Sequence, residues 1–388
     1  MSHPALAFSE AEYRVRISRA REQLVARGMD ALLCFAQESH YYLTGYDGGG
    51  YVFFQCLVLT AEEKPLTLLC RRPDVSQARD TSLIDEIRIW LNAEDTDPAN
   101  QLRGILSDLG FAGGRVGIEL DTYGLTGKNH AAIQAAMDGF CTLVDGSDIV
   151  SSLRLVKSET ELDYIRKAAA LADDAYDSAL DTARAGVVDA EVTAAIMTTT
   201  LRGGGDVSPA GPLVNSGSRA IYGRGVGGPR PLDAQDLLIL EYAGTFRRYN
   251  CCIERSISIG GPTEAQRKLH GLVRETLEEM QTAFRPGDTL GTVDDIHRRR
   301  LDAAGHAEHR FAACGYSLGA TYRPSWMDVP PMIYSGNPLV LEPGMVFFPH
   351  VMVGDPETRL AMGLGNTVLV TETGCEVMSR HSLDLPVR

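Results

Sequence analysis

Glu241 and Cys252, a carboxylate and a thiol eleven positions apart, stand in a stretch from Leu237 to Gly260 that reads as two strands joined by a turn. The apolar run Leu237, Leu238, Ile239 and Leu240 suits a buried strand, and Ile253, Ile257 and Ile259 suit a returning one. Between them Ala243, Gly244 and the basic pair Arg247-Arg248 suit an exposed corner. Side chains alternate between the faces of a hairpin, so Glu241 and Cys252 are delivered from adjacent strands to one pocket, and Cys251 faces away. Glu254, two residues past Cys252, shares that face and is a second candidate acid. Burial after four apolar residues is expected to raise the pKa of Glu241 unless Arg224 or Arg255 compensates. Such a carboxylate serves as general base or covalent nucleophile; the alternative is a structural ion pair. Cys252 is a nucleophile if a base lowers its pKa, and an inert core residue otherwise.

The hairpin resembles that of the creatinase, aminopeptidase P and methionine aminopeptidase superfamily, whose "pita-bread" fold holds two metal ions with Asp, Asp, His, Glu and Glu. Further matching pieces follow the family's order: Leu155 to Glu159 (LVKSE), Gly315 to Gly319 (GYSLG), Leu341 to Val346 (LEPGMV) and Asn366 to Thr371 (NTVLVT). The resemblance covers nearly the whole chain. It implies an α/β N-terminal domain over residues 1–152 and an α+β pita-bread domain over 153–388.

The family's ligand positions carry other residues here. By this resemblance the two Asp fall on Glu241 and Cys252, the His on Tyr316, and the two Glu on His350 and about Gly365. A hard divalent pair needs bridging carboxylate oxygens that this set does not supply, so no metal and no other cofactor is expected. The alternative is a single zinc on Glu241, Cys252 and His350, all zinc-ligand types. Where family members place a substrate-contacting His, the glycine-rich loop from Leu213 to Gly228 carries Arg224, with Tyr222 two residues before it. An arginine fork suits a carboxylate on the substrate; otherwise it pairs with a surface acid. Tyr316 is a candidate donor to a developing oxyanion, and His350 a candidate base for Cys252 or a satisfied core histidine. Arg255 matches a recurring family arginine and is read as structural.

Tyr316 with Tyr322, Pro324 and Trp326 looks more like ectoine hydrolases than peptidases, and the two aromatics either wall the pocket or simply pack. Leu43 to Gly48 with Gln55 is similar to the corresponding ectoine-hydrolase stretch. In this superfamily the N-terminal domain borders the partner's site, so His40 and Tyr46 are expected to touch substrate across a homodimer interface. Arg224 in place of His separates the chain from typical ectoine hydrolases and makes direct creatinase activity doubtful. The expected activity is metal-independent hydrolysis of a C–N bond other than a peptide bond, in a cyclic amidine, guanidino acid or amide. The substrate is a small carboxylated nitrogen compound. Two alternatives stay open: a metal-dependent Xaa-Pro aminopeptidase or dipeptidase, and a noncatalytic small-molecule-binding pseudoenzyme.

Local patterns supply the elements that must position these residues. Ser9 caps a periodic helix that stops at Gly28, and a strand follows over 31–35. The tract from Ser39 to Gly50 reads as a glycine-rich connection into a strand over 51–58. Strands near 66–69, 86–90 and 116–119 alternate with helices near 98–109 and 129–136, the mark of an α/β domain. Ser158 to Glu161 opens a long helix by the capping-box pattern. Three more helices are expected near 189–201, 264–283 and 293–304.

The totals bound the rest. A chain of 388 residues, 44% hydrophobic and 23% charged, is long enough for two cores. Its net charge of −14 and lack of a basic stripe argue against nucleic acid. No apolar run approaches a membrane span, and the polar opening residues point to the cytoplasm. Eight scattered cysteines without a CxxC make a disulfide framework unexpected; Cys34, Cys56, Cys70 and Cys314 read as small buried hydrophobes.

Overall fold

The computed structural model describes residues 6–388, which divide into two compact units, 6–154 and 155–388.

In the first unit α1 (Glu10–Ala26) is capped by Ser9, whose side chain accepts the Glu12 N–H. It leads to β1 (Ala31–Cys34), α2 (Gln37–Thr44), β2 (Cys56–Thr60), β3 (Thr67–Arg71), α3 (Val75–Thr81), β4 (Glu86–Trp90), α4 (Pro98–Asp108), β5 (Arg115–Ile118), α5 (Gly127–Met137), β6 (Thr142–Asp145) and α6 (Asp148–Leu153). The sheet runs β4-β3-β2-β1-β5-β6, parallel between β3 and β4, β1 and β5, and β5 and β6, and antiparallel through β1, β2 and β3. The short run of β1 is apolar throughout because both faces are covered. Ala31 and Leu33 pack with Leu102 of α4 and Ile133 of α5, while Leu32 and Cys34 pack with Leu24 of α1 and Leu43 of α2. The sequence expectation fails locally here. Residues 39–44 are helical rather than connecting, ending at Gly45 with φ 87°, and the strand expected from 51 begins at Cys56. Burial of nearly every α2 side chain stabilises a helix too short to hold on propensity alone.

The second unit opens with α7 (Glu159–Thr182), whose capping box joins Ser158 and Glu161 as their spacing predicts. There follow α8 (Asp189–Arg202), β7 (Leu213–Ser216), β8 (Asp236–Phe246), β9 (Tyr249–Ile259), α9 (Glu264–Thr282), α10 (Gly291–Ala303), β10 (Gly315–Ser317), β11 (Val346–Gly354), β12 (Ala361–Asn366), β13 (Val368–Val370) and β14 (Cys375–Val377). The sheet order is β14-β13-β11-β12-β9-β8-β7, with β10 on β11. β8 and β9 form the expected hairpin around Arg247 and Arg248, both at positive φ (50° and 68°), the backbone sign of a type I′ turn. Leu238, Leu240 and Tyr242 pack with Ile253, Ile257 and Ile259 against α7 and α8. Leu237 and Ile239 enter the other core, with Leu269 of α9 and Val293 of α10. Glu241 is the next residue on that second face. The apolar series ends there, and the site begins.

Candidate active site

The register of the hairpin sets Glu241 directly opposite Glu254, with Cys252 two pairs further along, on the same face, opposite Ala243. β10 supplies Tyr316, whose hydroxyl donates to Glu241 Oε1 at 2.9 Å and accepts the Trp326 indole N–H at 2.7 Å. β11 supplies His350, paired with Gly365 of β12, and Gly365 in turn pairs with Glu254. His350 Nδ1 lies 3.3 Å from Glu254 Oε2, a charge contact off hydrogen-bond alignment, and neither atom has an aligned hydrogen-bond partner. Glycine makes this arrangement possible, since a Cβ at Gly363 would stand 2.2 Å from Glu254 Oε1. Behind the pair, the buried Arg255 fixes the backbone by donating to the carbonyls of Glu254 and Gly365 at 2.9 and 2.6 Å.

A second carboxylate facing the same pocket makes Glu241 harder to ionise than it is in water. Burial, then the Glu254 charge, raise the Glu241 pKa above the ordinary carboxylate value, against the lowering pull of His350, the Tyr316 hydrogen bond and Arg224. Burial pulls the His350 pKa down, but its contact with Glu254 and the charges of Glu254 and Glu241 outweigh that and leave it raised. The result is a carboxylate able to hold or release a proton beside an imidazole that tends to stay charged. A cavity of about 470 Å³ in the same unit is lined by Ile196, Leu201, Pro212 and Ala243, with Thr200, Ser208, Asp206 and Arg323 as polar members, and none of Glu241, Glu254, Tyr316 and His350 lines it. Ala243 is two residues along the same strand face from Glu241, roughly 7 Å by strand rise.

The residues singled out from sequence divide clearly. Glu241, Glu254, Tyr316 and His350 come together as expected. Tyr316 differs in role, because its one phenolic proton is committed to Glu241. Arg224 is exposed, its guanidinium donating to the Gly223 carbonyl at 2.7 Å, and its charge reaches both Glu241 and His350. Tyr222 is 40% exposed on the same loop. Asn215 of β7, which sequence reasoning passed over, holds this loop by donating to the carbonyls of Tyr222 and Arg224 at 2.9 and 3.4 Å.

Cys252 does not form the expected couple with His350. Its thiol is wholly buried, burial with the neighbouring Cys251 and Glu241 pushes its pKa well up, and the imidazole that would activate it is turned to Glu254. Trp326 and Tyr322 are not open walls. Trp326 is buried behind Tyr316, and Tyr322 is buried with the Arg248 guanidinium 5.1 Å above its ring. His40 and Tyr46 are completely buried in the first unit, within a network that includes Gln55. Helix α2 turns His40 inward and the segment just after its Gly45 cap buries Tyr46, so neither offers a surface to substrate.

The positions that the family resemblance equates with metal ligands can be tested on their donors. Gly365 offers none, and a Cβ there would stand 2.5 Å from the Phe348 ring and 2.8 Å from His350 Cβ. The Tyr316 phenol and the Cys252 thiol are held protonated by burial and nearby carboxylates. Glu241, Glu254 and His350 remain, too few oxygens for a bridged divalent pair. These residues do not fit the dinuclear centre.

Comparison with known proteins places the chain. Residues 163–372 match the model of metallopeptidase family M24, and residues 16–156 match the creatinase/prolidase N-terminal domain. The protein belongs to family M24, with the creatinase-like N-terminal and pita-bread C-terminal architecture of that family. Among its relatives, an uncharacterised hydrolase/peptidase of Sinorhizobium fredii is 28% identical over 99% of each chain. The ectoine hydrolase of Halomonas elongata is 25% identical over the full length of both chains. The crystal structure of a prolidase from Thermococcus sibiricus superposes with a TM-score of 0.88 at 20% identity, over 98% of this chain and 100% of the other, a likeness of fold.

Proposed function

We propose that this M24 member is a hydrolase that opens a C–N bond other than a peptide bond, in a small carboxylated nitrogen compound of the cyclic-amidine, guanidino or amide kind, without a metal ion. The observation that carries the reading is the pocket itself: Glu241 opposite Glu254, His350 against Glu254 and Tyr316 on Glu241, in place of a metal-ligand set. The likeness to an ectoine hydrolase along the whole chain agrees with it.

In this mechanism Arg224 meets the substrate carboxylate at the mouth of the pocket that holds Glu241 and His350. Tyr316, steadied by Trp326, orients Glu241 through Oε1 and leaves Oε2 for the attacking water. Glu241 removes a proton from that water as its oxygen bonds to the substrate carbon. The C–N bond then breaks, and the leaving nitrogen takes a proton from the His350 imidazolium, whose charge Glu254 sustains. A raised carboxylate pKa suits the first transfer and a raised imidazole pKa the second. The rate should therefore follow a bell in pH, rising above the ordinary carboxylate range and falling above the ordinary imidazole range. We expect the enzyme to act in the cytoplasm as a homodimer.

The test is turnover of ectoine, creatine and Xaa-Pro dipeptides by purified protein, with and without prior chelation. Hydrolysis of a cyclic or guanidino acid that survives chelation, and falls by about a thousandfold or more in Glu241→Gln, is expected. Turnover of Xaa-Pro dipeptides abolished by chelation would return the chain to the metallopeptidases. A Glu241→Gln variant as active as the parent would remove the base from the mechanism.

A further inference from the structure

A second group of donor atoms lies in the same unit, outside the pocket. α10 presents Asp294 and His297 one turn apart on one face, and Cys314, just before β10, meets them, with one donor atom of each within 4.8 Å of the others. Asp294 is 0% exposed, and His297 and Cys314 are 1% exposed. Asp294 Oδ1 lies 3.2 Å from His297 Nδ1, Oδ2 accepts the Ser335 N–H at 2.8 Å, and the Cys314 thiol is within hydrogen-bond reach of the same carboxylate.

The charge around Asp294 is unusual. Among the described residues no Lys or Arg side chain donates to it, and the nearby Arg310 turns its guanidinium to Asp302. A buried carboxylate is ordinarily paired with a cation or bound to a metal. Here its neighbours are an imidazole, a thiol and an amide, two of which are metal ligands.

We propose that Asp294, His297 and Cys314 form a binding site for one zinc-like divalent ion, separate from the candidate pocket. Carboxylate, imidazole and thiolate are the three zinc donor types, and bond lengths near 2.0–2.3 Å place tetrahedral donors about 3.5 Å apart. The atoms need close by only about 1 Å to reach that spacing. On binding, the Cys314 thiol gives its proton to solvent as the sulfur–metal bond forms. Carboxylate and thiolate then neutralise the dication, and one coordination position stays open. The ion ties α10 to the segment before β10, where the Cys314 carbonyl accepts the His350 N–H at 3.0 Å. It thus lies behind the pocket wall as a structural element. The site does not rest on the proposed reaction, and it changes what a metal analysis of this protein means. One zinc per chain would not by itself identify a metallopeptidase.

The experiment is a titration of chelator-dialysed full-length protein with Co²⁺, read by the thiolate-to-cobalt charge-transfer band and by melting temperature, with Zn²⁺ counted by elemental analysis. One ion per chain, the thiolate band and a raised melting temperature are expected in the parent. His350→Gln and Glu241→Gln should keep all three. Cys314→Ser should lose the band and, like His297→Gln, bind at least about tenfold more weakly, a loss no smaller than that of an outer-shell partner. Circular dichroism of each ion-free variant separates loss of the site from loss of the fold, and His297→Gln serves should Cys314→Ser not fold. A parent that takes up no ion, or takes one up without a thiolate band, overturns the proposal. Binding that survives Cys314→Ser and vanishes in His350→Gln overturns it too, and by placing the ion in the pocket it also ends the metal-free reading.

Discussion

Each unit of this molecule holds a network of carboxylate, histidine and tyrosine, and the two networks end differently. In the first unit Glu119 accepts the Ser39 hydroxyl and the Phe35 and Ala36 N–H groups. His40 is tied to the Cys34 carbonyl and reaches Gln55, which joins Tyr46 and Gln37. Every group there is enclosed and partnered. Burial drives the His40 pKa down to about 4, so the ring is neutral. In the second unit Glu241 still meets solvent, and Glu254 Oε2 and His350 Nδ1 face each other without an aligned hydrogen bond. The same residue types make scaffold where their hydrogen bonds close and a reactive pocket where they do not.

The comparison is broken most directly at Glu254. In Glu254→Gln the His350 pKa loses the contact and charge of Glu254 that raise it, leaving only the pull of Glu241, and Glu241 loses the like charge that adds to burial in raising its own. Both limbs of the pH profile should move to lower pH, with turnover near pH 8 down by roughly a hundredfold. An unmoved profile would show that the pair does not set the protonation states.

The closed network is sharpened next, by stability rather than turnover. Burial pushes the Glu119 pKa from the ordinary 4.5 up to about 7, despite the lowering hydrogen bonds of Ser39, Ala36 and Phe35. A pKa raised by folding means that the folded state holds the proton more tightly. Its contribution is therefore complete below about pH 4.5 and is lost as pH rises through about 7. Glu119→Gln imitates the protonated form, so above pH 7 it should be more stable than the parent by about 3 kcal/mol, with that pH dependence flattened and turnover unchanged. Chemical denaturation across pH 5 to 8 checks this, and parallel curves for the two proteins would refute it.

The smallest effect belongs to Trp326. Trp326→Phe keeps the packing but removes the N–H donated to Tyr316, at about 1 kcal/mol, or roughly fivefold in kcat with KM little changed. A change in KM alone would instead return Trp326 to the substrate wall.

Much of this was legible in the chain because it depends on neighbours in sequence. The capping box at Ser158 and Glu161 needs residues three apart. The face shared by Glu241, Cys252 and Glu254 needs only the period of two and one turn. The helix over 37–44 was not legible, because burial rather than propensity holds it, and the same burial takes His40 and Tyr46 away from any ligand. Nor could local pattern show that His350 would choose Glu254 over Cys252, that Trp326 would stand behind Tyr316, or that Gly363 would leave room for a carboxylate. The sequence by itself determined which groups reach the pocket face. Tertiary structure decided which of them touch, because those pairs lie on strands and loops brought together only when both cores close, and protonation follows from that contact and burial.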